Sequence, residues 1–114
     1  NNMNYMQLQN KDGKYVKPDD TTFSAAAAGV DWNSAPGMGV SMVDAKGANS
    51  WPVTTASFIL MYKSPEDKTA SQEALKFFTW AFKNGKKLAV DLDYVPMPDA
   101  VTAQIQSKVW SQIK

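Results

Sequence analysis

With 114 residues the chain is long enough for one ordinary domain, and 44% hydrophobic content with five Phe, four Trp and four Tyr supplies a core, which excludes a disordered chain. A net charge of +1, with lysines scattered along the chain, marks neither a nucleic-acid footprint nor a surface that seeks acidic partners. Cys, His and Arg are absent, so there is no disulfide, thiolate nucleophile or zinc cluster, the redox compartment stays open, and no apolar stretch reaches the roughly 18 residues of a membrane span.

The sequence opens abruptly at Asn1, with no initiator Met and no signal peptide, and so reads as a piece of something longer. Asn4 to Gln9 mixes Tyr5, Met6 and Leu8 with amides, which suits a weak strand. Asn10-Lys11-Asp12-Gly13 has turn chemistry, and Tyr15-Val16 is the expected return strand of a hairpin. Calcium-loop spacing around Asp12-Gly13 would need Leu8 as first ligand and lacks the closing glutamate, so that reading is rejected.

Pro18 can open a helix with Asp19 and Asp20 in its first turn, where carboxylates are favoured by the helix dipole. Four alanines continue it through Ala28, and Gly29 suits the position just past its end. The paired aspartates could serve acid/base chemistry, but a capping role weighs more. Asp31 to Ser50 is loop-like, broken by Pro36, Gly37, Gly39 and Gly47, with Trp32 and Trp51 expected to pin it to the body. Gly37-Met38-Gly39 lacks a following helix or a Lys-Ser/Thr pair and is weak as a phosphate cradle.

Trp51 to Lys63 carries the longest nearly unbroken apolar run, Ala56 to Tyr62, and is rich in β-branched and aromatic residues. Val53, Ile59 and Met61 fall on one parity, Ala56, Phe58, Leu60 and Tyr62 on the other, which predicts a strand covered on both faces. Such a strand is longer than usual. It either passes from one sheet into another or serves as one central strand; periodicity does not decide between them.

A helix is expected from about Thr69 to Asn84, with Ala74, Phe77, Phe78, Ala81 and Phe82 forming a stripe that anchors it to a sheet. Glu73 and Lys76 can pair across one turn, and Gly85 ends the helix beside Lys83, Lys86 and Lys87. Leu88 to Leu92 adds a further turn or two. Asp91 and Asp93, two residues apart, point away from each other on a helix and read as a solvated end. Tyr94-Val95-Pro96-Met97-Pro98 is a rigid extended segment. Pro98 opens a last helix with Asp99 in its first turn, a buried stripe of Val101, Ile105, Val109 and Ile113, and Trp110 beside it. Neither a nucleophile–base pair nor a metal cluster is visible, which argues against an enzyme.

Three of these stretches, W-P-V-T-T-A-S-F-I-L-M-Y-K, E-A-L-K-F-F-T-W-A-F-K-N-G and D-L-D-Y-V-P-M-P, together resemble the C-terminal part of the phosphate-binding proteins of the bacterial phosphate ABC transporter. The D-G turn, the P-D-D-T-T-F-S-A-A-A-A-G helix and the following D-W match the same family in the same order, so the resemblance covers the whole chain. It implies an α/β fold of the two-lobed, type II periplasmic-binding-protein kind, of which this chain is an incomplete C-terminal portion. Residues 1–51 would finish the second lobe and residues 52–114 would return to complete the first, with Trp51, Pro52, Val53, Thr54 and Thr55 at the interlobe crossing. The resemblance also implies a periplasmic, non-catalytic receptor that closes on inorganic phosphate and delivers it to the membrane subunits of an ABC importer, without a cofactor or metal.

The family holds phosphate with hydroxyls and backbone N–H groups near helix N-termini, an arginine and an aspartate, from motifs earlier in its chain. With no Arg and none of those motifs, no phosphate ligand is expected in these 114 residues. A piece lacking its sheet neighbours should pair with a complementary chain or associate with itself. The reading from another class is a ligand-free structural or interaction module, or a domain-exchanged oligomer, derived from the same fold.

Overall fold

The computed structural model describes residues 4–114, so the abrupt opening at Asn1 lies outside the described residues. The chain divides into two compact units, one running through residue 57 and the other spanning residues 58–114.

The first unit begins with a short antiparallel hairpin of β1 (Leu8–Gln9) and β2 (Tyr15–Val16), with Leu8 opposite Val16 and Gln9 opposite Tyr15. The expected turn joins them: Gly13, at φ +76°, donates its N–H to the Asn10 carbonyl at 2.9 Å. Only glycine takes that conformation without steric cost. The strand is shorter than the Asn4–Gln9 reading, and Asn4 to Gln7 are exposed.

Helix α1 spans Asp20–Ala28, with Asp19 as its N-cap. The Asp19 carboxylate accepts the Thr22 N–H at 3.0 Å, and the Thr22 hydroxyl accepts the Asp19 N–H at 3.1 Å. That reciprocal pair fixes the start two residues later than a helix opened by Pro18, because the cap must keep extended backbone. Ala26 and Ala27 face the core with Val16, Trp32, Met38, Met42, Ala45 and Trp51. The loop from Asp31 to Ser50 contains only a 3-10 turn at Pro36–Met38. Trp32 and Trp51 are buried at its two ends, as expected from the sequence. The Trp32 indole N–H donates to the Ala27 carbonyl at 2.8 Å, satisfying an acceptor in the last turn of α1.

The strand expected over Trp51 to Lys63 does not form. The chain bends at Pro52–Val53, and no ladder follows. Phe58, Ile59, Leu60 and Tyr62 are exposed rather than covered on both faces, Leu60 at 92%. A strand exists only through its neighbours, and the sole sheet among the described residues is β1–β2.

The second unit is helical. Helix α2 (Lys68–Asn84) is capped by Asp67, whose carboxylate accepts the Ala70 N–H at 2.9 Å, and it ends at Gly85. Helix α3 (Lys86–Asp91) follows, then the segment through Tyr94 to Pro98. Helix α4 (Asp99–Gln104) continues as a π-helical turn (Ile105–Val109) and a 3-10 turn (Trp110–Gln112). Val101 is buried and Ile105, Val109 and Ile113 are half-buried. A four-residue repeat outruns the 3.6-residue α turn, and the wider turn at its centre takes up part of that drift.

The stripe on α2 differs from expectation. Ala74, Phe78, Ala81 and Phe82 are half-buried, but Phe77 is 60% exposed and no α2 residue is fully buried. The helix does not anchor to a sheet, because this unit has no strand among the described residues. Instead Phe82 stacks on Trp110 with centroids 5.3 Å apart and planes at 4°.

Candidate functional site

The segment singled out by the sequence, Trp51 to Thr55, lies in the first unit, where it ends the long loop. Helix α1, the loop and a turn of its own hold it. The Trp51 N–H donates to the Thr22 carbonyl in α1 at 3.0 Å, and its ring meets Phe23 edge-on at 6.1 Å. The Pro52 carbonyl accepts the Asp44 N–H at 2.9 Å. The Thr54 hydroxyl, buried, donates to the Trp51 carbonyl at 3.0 Å and closes a local turn. Val53 is 64% exposed and Thr55 is also exposed, so only Trp51 and Thr54 of the segment are buried.

Beneath it lies a polar hub that the sequence reading missed. Asn10, buried, donates its side-chain amide to the carbonyls of Gly47, Ala48 and Ser50 at 3.1, 2.9 and 3.2 Å. Its side-chain oxygen accepts the N–H groups of Asp12 and Lys14. One side chain thus ties the hairpin turn to the end of the loop that delivers Trp51. Ser50 is fully buried, and its hydroxyl donates to the Lys46 carbonyl at 2.8 Å. The only sequence signal for the hub was an Asn opening a Gly-containing turn, and the partners are 37 to 40 residues away.

Gly29 serves a purpose other than the left-handed cap for which glycine is usual. Its φ is −81°, open to any residue, but a β-carbon there would lie 2.1 Å from the Lys46 carbonyl oxygen. Close approach of the loop backbone is what requires glycine.

The two backbone sites that the sequence offered to an anion, the first turn of α1 and the Gly37 turn, are engaged by the chain itself. The first turn of α1 is capped by Asp19 and carries Asp20, and both carboxylates oppose a second negative charge there. At Gly37-Met38-Gly39, the N–H groups of Met38, Gly39 and Val40 donate to the carbonyls of Ala35, Pro36 and Met38. That turn is a closed local structure. Among the lysines named by the sequence, Lys86 pairs with Asp99 and Lys87 with Asp91 at 2.6 Å, and the Glu73–Lys76 pair forms at 2.7 Å. Asp93 stands apart from Asp91 past the end of α3, in left-handed backbone at φ +61°. No group of three acidic residues that could hold a metal ion occurs among the described residues. Nor is any helix there long and apolar enough to cross a membrane.

Among the described residues the chain is helix-rich with one small sheet, which is compatible with part of an α/β fold. No family model matches the chain. It is nevertheless 46% identical over its full length to the phosphate-binding protein PstS of Pasteurella multocida, covering 33% of that protein. Against PstS of Haemophilus influenzae it is 40% identical over its full length and covers 34%, and against PstS of Xylella fastidiosa 40% and 31%. From end to end, then, this chain matches part of the phosphate-binding proteins named PstS, and it spans about a third of their length.

Proposed function

We propose that this chain is the closing portion of a periplasmic inorganic-phosphate receptor of the two-lobed, type II kind, which hands phosphate to the membrane subunits of an ABC importer. In this reading the chain is scaffold. Residues 1–51 finish one lobe, residues 52–114 return to the other, and Trp51 to Thr55 form the crossing between them. Binding proceeds by lobe closure without catalysis, and the groups that grip phosphate belong to sequence outside these 114 residues. The observation that carries the proposal is identity of 40–46% along the entire chain to phosphate-binding proteins about three times as long. Two features of the chain support the scaffold role: it has no Arg, and the anion-suited start of α1 is filled by Asp19 and Asp20.

The test is calorimetry with inorganic phosphate on two samples. The chain by itself should give no heat of binding. The same chain joined behind the first two thirds of a PstS relative should bind with 1:1 stoichiometry. Tight binding by the chain alone would remove the scaffold role, and a well-folded joined protein that ignores phosphate would remove the receptor reading.

One observation favours a second reading, an exchanged or self-associated form of the same fold. Phe58, Ile59, Leu60 and Tyr62 expose a contiguous apolar run, a surface that promotes association. Sedimentation of the isolated chain should therefore show oligomers, and a compact monomer at all concentrations would contradict it.

A further inference from the structure

We draw no further inference here: the strongest candidate, the exposed apolar run of Phe58, Ile59, Leu60 and Tyr62 at the start of the second unit, carries nothing beyond the proposed function, because nothing in the structure shows what covers it.

Discussion

Replacing Asn10 by aspartate would set a carboxylate against the carbonyl oxygens of Gly47, Ala48 and Ser50, with no N–H left to donate. Loss of the donor at a buried site, together with the repulsion, should destabilise the first unit by roughly 2–4 kcal/mol. Urea denaturation followed by Trp fluorescence would measure it, and an unchanged midpoint would show that the hub is dispensable. Two glycines separate two causes of destabilisation. At Gly29 an alanine β-carbon meets the Lys46 carbonyl, so Gly29→Ala forces the loop backbone aside at about 1–3 kcal/mol. At Gly37 there is open space, and only the left-handed φ of +63° penalises alanine, by about 1–2 kcal/mol. Amide shifts should distinguish them, moving across Lys46 to Ser50 for Gly29→Ala and staying near residue 37 for Gly37→Ala. The Gly29 side of this contrast was not legible in sequence, where a Gly after four alanines looks like an ordinary helix stop.

At the scale of elements, local signals are legible wherever the partner is a few residues away. Helix α1 with its aspartate cap, α2 and the last helix stand close to their predicted spans, and the hairpin turn falls where expected although its first strand is shorter, because turns, caps and helical hydrogen bonds close within one turn of chain. Asp19→Ala should cost about 1 kcal/mol and fray the start of α1, seen as faster amide exchange at Thr22 and Phe23. The apolar stripe of α2 was legible as a pattern but not as burial. Phe82 stacks on Trp110, so Phe82→Ala should destabilise the isolated chain by about 2 kcal/mol. Phe77, exposed, should tolerate alanine within about 0.5 kcal/mol. Joined to the remainder of a receptor, Phe77→Ala should become costly if that face is then covered. Equal costs in both samples would show that it stays bare.

For the whole molecule, the two units differ in how their apolar residues are housed. The first buries both of its tryptophans, Trp32 and Trp51, while the second leaves Leu60, Leu92, Tyr62 and Trp80 largely in solvent. Hydrogen exchange on the isolated chain should accordingly find slow amides in α1 and at Trp51, and fast ones from Thr55 to Tyr62. The Trp51 amide is bonded to Thr22, whereas the later run is joined to no ladder. Protection of the later run appearing only in the joined receptor would support the proposed scaffold role. Protection already present in the isolated chain would count against missing neighbours.

By itself the sequence determined what short-range chemistry can determine: where the chain turns, where helices begin and end, that Trp32 and Trp51 close a loop, and which proteins it resembles. Its reading of Trp51 to Lys63 as a strand fails in this chain, because composition records suitability for a sheet while a sheet needs neighbours. Only the tertiary structure decided that Phe58, Ile59, Leu60 and Tyr62 lie unladdered and exposed, that Asn10 spends its amide on carbonyls far along the chain, and that Gly29 is required by a passing backbone. Each of these depends on groups brought together by folding across tens of residues, and no local pattern encodes which groups will meet.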